Sequence, residues 1–333
     1  MNEFIFFFNS VVINGAVIGS IYAMGAIGVT LVFGILRFAH FAHADMMTLG
    51  AFLVLILTAL FPAVGPAIGL PTAFVMMPVA MVATAFIAVG IDKLFYKKLR
   101  ENNVKPVVMV MASVGVTLML QGLIRFFAGT GTQSLYIDDR KAIFRIDLPF
   151  ESASRNLVVT EPQLLLFLFL AFAVIALHLF LNKSRLGKAM RAMSDNPDLA
   201  KVSGINTNTV VGVTWIIAGA LACAAGTLLS LDVTLKPDLS FMILLPIFAA
   251  AIVGGVGSPY GALAGGFVVG LTETLAVFNW TFVLRPLERA IPALDLPNTL
   301  AFVPTEYKIT IPFFILLAIL IWRPTGLFKG KII

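Results

Sequence analysis

One cysteine and three histidines in 333 residues leave little material for redox or metal chemistry. Cys223 lies inside an apolar run, has no partner for an internal disulfide, and is not surrounded by metal-ligand spacing. Charge is scarce as well, 12% of the chain against 59% hydrophobic residues. A soluble domain could not hide that much apolar surface, so the composition describes a polytopic integral membrane protein. Catalytic signatures are missing too. The chain has no G-x-x-x-x-G-K-[ST] stretch, which excludes ATP hydrolysis by a P-loop of its own, and no HExxH, Ser–His–Asp set or catalytic carboxylate pair. Nucleic-acid binding is disfavoured because the net charge of +6 sits in loops and ends bordering apolar runs. Met-Asn-Glu precedes Phe4 to Phe8 without a positive n-region, so no cleaved signal peptide is expected.

What is present is a series of apolar runs at about 10–35, 44–61, 72–92, 106–128, 162–182, 208–231, 240–253, 259–278 and 309–322. They predict an all-α fold of eight or nine transmembrane helices, eight if 240–278 forms one re-entrant unit. A single transmembrane domain is expected over 1–333, with long external loops at 129–161 and 281–308. Basic residues orient the spans. Lys93, Lys97, Lys98, Arg100 and Lys105 crowd one connection, Lys183, Arg185, Lys188, Arg191 and Lys201 another, and Arg323, Lys329 and Lys331 the C-terminus. Positive charge holds such segments on the cytoplasmic side, which implies an external N-terminus. Glycines spaced by four (Gly15 and Gly19, Gly261 and Gly265, Gly266 and Gly270) predict close helix crossings.

The segment 183–206 is more structured than a solvated connector needs. Leu186, Met190 and Met193 make an apolar stripe on one short helix, with Arg185, Lys188 and Arg191 off it. Pro197 opens a second helix, Asn196 is its N-cap, Asp198 suits its positive dipole end, and Gly204 suits a left-handed stop. This two-helix loop reads as a handle for another protein.

Two interruptions fall in corresponding places of the two halves, as in a duplicated ancestor, although no residue-level repeat is visible. The first is GILRFAHFAHADMMTLG, Gly34 to Gly50, which sets Arg37, His40, His43 and Asp45 into a turn. The second is Gly254-Gly255-Val256-Gly257-Ser258-Pro259, after a short run containing Pro246. Unwound backbone at membrane depth is tolerated where it lines a cavity, so such breaks are candidate translocation sites, against the plainer reading of a cytoplasmic turn. The helix restarting after Ser258 would offer free N–H groups to a carboxylate. The substrate-pathway candidates are therefore His40, His43, Asp45, Gly254, Gly255, Gly257, Ser258 and Glu273, the last an acid deep inside an apolar span. For His40, His43 and Asp45 a metal site and a proton relay are also weighed, with interfacial hydrogen bonding the plainer role for the two histidines. His178, near the inner end of its span, is also read as interfacial.

Three stretches, GSIYAMGAIGVTLVFGILRFAHFAHADMMTLGAF (Gly19 to Phe52), GKAMRAMSDNPDLAKVSGIN (Gly187 to Asn206) and AAAIVGGVGSPYGALAGG (Ala249 to Gly266), with a closing WRPTGLF (Trp322 to Phe328), carry a likeness to a known family. The chain resembles the shorter permease subunit of branched-chain amino-acid ABC importers over essentially its whole length. In the family an asparagine usually precedes Phe-Ala-His-Gly; here His40 takes that place and Ala44 replaces the glycine. The resemblance implies uptake of aliphatic amino acids across a bacterial inner membrane by alternating access. The partners it implies are a second permease, two cytoplasmic ATPases that hold the ATP and Mg, and a periplasmic solute-binding protein; this chain itself needs no cofactor. It makes Gly187, Lys188, Arg191, Asp195, Asn196, Pro197 and Gly204 the ATPase-coupling residues. Related readings are a urea, short-amide or other amino-acid importer; a stand-alone secondary transporter or channel is a more distant one.

Overall fold

The structure is a computed structural model and describes residues 2–137, 141–147, 156–290 and 297–328, without the side chains of 286–290. Lys329 and Lys331, used above to orient the C-terminus, lie outside the described residues. Among the described residues seven helices are long and apolar enough to cross a membrane. They are α1 (Asn2–Leu36), α2 (His43–Leu60), α3 (Thr72–Glu101), α4 (Pro106–Ala128), α5 (Glu161–Lys183), α8 (Thr207–Asp232) and α10 (Pro259–Val277). Two further apolar helices are short, α9 (Leu244–Gly254) and α11 (Thr310–Trp322). Between α5 and α8 lie the small helices α6 (Arg185–Asp195) and α7 (Pro197–Val202).

All nine apolar runs are thus helical, but not all are spans of full length. At 1.5 Å per residue α9 covers about 16 Å and α11 about 20 Å, well under the roughly 30 Å of a hydrocarbon core. α9 ends inside the 240–278 segment where a re-entrant unit is expected, whereas α11, expected as a span, is also short of full length. The long connection between α4 and α5 is not purely helical: Ile143–Ile146 and Leu157–Thr160 (β1 and β2) pair antiparallel as a hairpin, with Ile143 opposite Thr160.

α1 and α8 form the axis of the bundle. Every residue of α1 from Gly19 to Val32 is buried, and so is every residue of α8 from Leu221 to Leu231. Lipid supplies no hydrophobic drive between helices, so close backbone approach has to hold them together. The four-spaced glycines do this, and with one another. A Cβ on Gly270 would strike Gly19, one on Gly266 would meet Ala23 at 2.5–2.7 Å, and one on Gly19 would meet the Phe267 backbone at 2.9 Å. Together they zip α1 to α10 in antiparallel fashion. Gly261 and Gly265 bring α10 against Gly254 and Ala250 of α9, while Gly50 and Gly226 bring α2 against α8. Hydroxyls inside the bundle satisfy themselves locally: Thr84, Thr214, Thr227 and Ser230 each bond the carbonyl four residues back.

The ends of the helices sort cleanly. The connection after α1, the end of α3, the α6–α7 pair and the break after α9 gather at one end, since His40 touches Tyr96 and Trp215, and Gly34 faces Ser194 and Gly257. The hairpin sits at the other, where Asn9 accepts from the Val158 N–H and a bridge joins Gln133 to Leu235.

Candidate functional site

The 183–206 segment folds much as its capping chemistry dictates. The Ser184 hydroxyl accepts from the Gly187 N–H at 2.8 Å and caps α6. Asn196 accepts from Asp198 and Leu199 at 3.1 and 3.0 Å and caps α7, and Gly204 closes it at φ +81°. One side of α6 is buried through Gly187, Met190 and Met193. Gly187 has no room for a Cβ, which would overlap the Phe180 carbonyl, so it seats α6 on the end of α5 and is itself inaccessible. Leu186 departs from the predicted stripe. It is 39% exposed, because Gly187, not Leu186, meets the bundle. Lys188, Arg191, Asp195 and Asn196 face out, and so do Leu199 at 64% and Val202 at 86%. An apolar tip framed by cations is what a protein-binding surface presents. Leu199 and Val202 were not singled out in the sequence because two apolar residues on a six-residue helix carry no periodic signal.

The first interruption is filled. Arg37 stops α1 in the left-handed conformation at φ 55°, its N–H on Phe33 O at 2.8 Å. His40 then enters an aromatic box. Its Nε2 and the Tyr96 hydroxyl are 3.1 Å apart, its ring stands edge-on to Trp215 at 4.8 Å, and Tyr96 stacks on Trp215 with the planes 4° apart. Ser113 of α4 ties the turn down by accepting from the Phe41 N–H at 3.2 Å. Burial pushes the His40 imidazole well below its usual range, and the neighbouring His43 adds to this. His43 and Asp45 are not in the turn but in the first turn of α2. The Cε1–Nε2 edge of the His43 ring packs on Gly28, and Asp45 faces Thr117, Gln121 and Arg125 of α4. All three side chains are buried, so the interfacial reading of the histidines fails: the turn packs inward against α3 and α8. The His40 and His43 ring centroids are 6.3 Å apart, with the rings edge-on to each other. Among the described residues no group of three or more His, Cys, Asp and Glu assembles.

The second interruption is open. Gly255 and Gly257 take φ of 112° and 87°, Ser258 caps α10 by accepting from the Gly261 N–H at 3.1 Å, and Pro259 begins the helix. The carbonyls at the end of α9 would be orphans. The WRPTGLF stretch supplies their donors: Leu327 N–H reaches Val253 O at 2.8 Å and Phe328 N–H reaches Gly254 O at 3.1 Å, while Gly326 lies on Gly255. Gly257 and Ser258 border a cavity of about 290 Å³ together with Thr30, Gly34, Arg191 and Tyr260. Gly254 is packed against Gly261 and does not line it.

A polar chain joins the handle to this break. Arg191 Nη1 donates to Asn182 Oδ1 at 3.2 Å, the Asn182 amide approaches the His178 ring at 3.2 Å, and His178 Nδ1 lies 2.8 Å from the Tyr260 hydroxyl. His178 is therefore more than an interfacial group. Its partner is 82 residues away, which no local pattern reveals. Glu273 lies at the other end of α10, pairing with Lys308 at 3.1 Å.

Comparison with known proteins agrees with this architecture. The family described as branched-chain amino acid transport system / permease component matches residues 11–320. The chain is 28% identical to the high-affinity branched-chain amino acid transport system permease protein LivH of Salmonella typhimurium, over 98% of this chain and 97% of the relative. It is 28% identical to BraD of Pseudomonas aeruginosa, a permease protein of the same description, over 95% and 94%. A galactose/methyl galactoside import permease of Escherichia coli, MglC, is 27% identical over 51% of this chain and 52% of its own. No solved structure matches.

Proposed function

This chain belongs to the branched-chain amino acid transport permease family, and we propose that it carries aliphatic amino acids into the cytoplasm as the membrane-spanning subunit of an ABC importer. Its role is transport rather than catalysis. It works with further subunits, which we take to be a second permease, two ATPases holding ATP and Mg, and an external solute-binding protein. The filled break, the handle and the open break then face the cytoplasm, and the hairpin faces outward.

The observation that carries the reading is the pair α6–α7. It is capped at both helix starts, fixed to the bundle by Gly187, Met190 and Met193, and apolar at its free tip. Such an element transmits a push without absorbing it. ATPase closure would move α6, and the Arg191–Asn182–His178–Tyr260 chain leads from α6 to the start of α10, beside Gly257 and Ser258. The permease pair would then alternate between inward- and outward-facing states around these broken helices. His40, His43 and Asp45 serve this as a fixed joint, not as groups that touch the solute.

The test is ATPase activity of the chain assembled with its partners in vesicles, with binding protein loaded in turn with leucine, isoleucine, valine, urea or a short amide. Stimulation by a loaded aliphatic amino acid is expected. Stimulation by urea or an amide alone would replace the cargo. Solute movement down an ion gradient with no ATPase bound would overturn the importer.

A further inference from the structure

Between the last turns of α3 and the facing part of α4, at the end of the bundle that carries the handle, runs a groove of about 350 Å³. Leu94 and Phe95 of α3 and Ala112 and Met119 of α4 give it apolar walls, and Lys98 is its one charged residue. From Ala112 to Met119 it follows α4 for about 10 Å. Gly115 keeps it open: a Cβ there would meet nothing within 4 Å, unlike the glycines of the α1–α10 seam, which press on backbone. On the other wall a π turn over Asp92–Tyr96 adds a residue to α3, so Tyr96 turns in onto Trp215 while Leu94 and Phe95 stay outside. From Asp92 to Lys105 five cations meet two acids. Both acids are answered, Asp92 by Arg100 at 2.6 and 3.0 Å and Glu101 by Lys97 at 3.7 Å. Among the described residues Lys93, Lys98 and Lys105 make no ion pair, and all three are exposed. Lys98 and Lys105 flank one short turn, closed by the Val104 N–H on Leu99 O at 3.3 Å, so both stand at the same end of the groove. No side chain caps α4 there, which leaves its positive dipole end beside Lys105.

Orientation in the membrane accounts for cations at this end of the bundle, but not for an apolar groove that begins at one of them. We propose that the groove holds an acyl chain of an anionic phospholipid, whose phosphate sits on Lys98 and Lys105. A helix of another subunit would fill the groove, yet it would have to bring carboxylates to the same depth to meet the lysines. Free phosphate would use the lysines and ignore the groove. A zwitterionic lipid offers a phosphate already accompanied by its own ammonium. An anionic lipid supplies the chain and an unaccompanied phosphate in one molecule, at the depth where these lysines stand. Tyr96 lies in the same π turn as Leu94 and Phe95, so the lipid braces from outside the joint that His40 and Trp215 fill from within. The inference goes beyond the importer reading and holds whatever the solute.

The test is lipid retention by the full chain in neutral detergent, given phosphatidylglycerol and phosphatidylcholine of the same acyl chains and read by native mass spectrometry. Wild type should keep a phosphatidylglycerol with about tenfold preference, and K98Q and K105Q should each cut that preference about fivefold. Glycerol 3-phosphate in large excess should not displace the lipid; displacement would make this a phosphate site and overturn the proposal. Gly115→Leu fills the groove from a position with open space, and leucine suits a helix better than glycine. Its thermal midpoint without lipid should therefore match or exceed that of wild type, while the rise that phosphatidylglycerol gives wild type is lost. Equal retention of the two lipids by wild type, an unchanged preference in K98Q and K105Q, or a full rise in Gly115→Leu would each overturn the site. In the assembled transporter, a photoactivatable crosslinker on Gly115→Cys, in a chain whose own Cys223 is buried, should capture phospholipid. Capture of another subunit instead would make the groove an interface between proteins, and the lipid proposal would fall.

Discussion

The two interruptions look alike in the sequence, yet they differ in what stands in the gap. After α1 the gap is occupied by side chains: Phe38, His40, Tyr96 and Trp215 interlock from three elements, and nothing is left open. After α9 the gap is made of glycines, and its backbone is answered by other backbone, that of Leu327 and Phe328. A break filled by rings is a joint that resists bending. A break bounded by left-handed glycines beside a cavity can change shape at small steric cost. The same unwound look in a sequence therefore covers a fixed point and a moving one, and side-chain volume tells them apart.

The largest effect should come from emptying the filled break. Trp215→Ala would remove a fully buried ring that packs on both His40 and Tyr96 and cost about 3–5 kcal/mol, seen as a large fall in the thermal denaturation midpoint of the purified protein. A small fall would mean that the joint carries less of the fold than its burial implies. Next, Leu327→Pro would delete the donor to Val253 O and leave that carbonyl unpaired, a cost of about 1–3 kcal/mol. Protease cleavage near 322–328 should become faster in that variant while the rest of the chain stays protected. Gly257→Ala meets open space, so its cost is conformational alone, about 1–2 kcal/mol at a positive φ. Its transport rate should drop more than its stability, and the reverse order would remove the moving role of this break. Tyr260→Phe keeps the ring and loses the His178 contact, worth about 1 kcal/mol in stability. Leucine carried per ATP should fall in this variant although both partners still bind. Gly34→Ala is the smallest: its Cβ would find Ser194 at 3.5 Å and Gly257 at 3.6 Å, ordinary contacts, so folding and transport should stay near wild type.

Features whose cause is local were legible in the sequence. Asn196 and Gly204 announce the ends of α7 through capping chemistry confined to a few residues, and the four-spaced glycines announce crossings because a small residue has few other uses there. Which helix each glycine meets was not legible, nor was the exposure of Leu186, since both depend on how the neighbouring Gly187 seats on α5. The longest misses have the longest separations. His178 with Tyr260, Glu273 with Lys308, and Leu327 with Val253 join segments that only the finished bundle brings together. His40 was misjudged for the same reason: its seat is built by Tyr96 and Trp215, far along the chain.

The hydrogen bonds from Leu327 and Phe328 to the end of α9 also order events during synthesis. WRPTGLF is made after α9, so until it arrives the Val253 and Gly254 carbonyls lack the donors that the folded chain gives them. Water or another polar group has to answer them in that interval. The end of α9 is thereby completed only when the stretch through Phe328 has folded back onto it, and a chain cut before Gly326 leaves that break without its backbone partners.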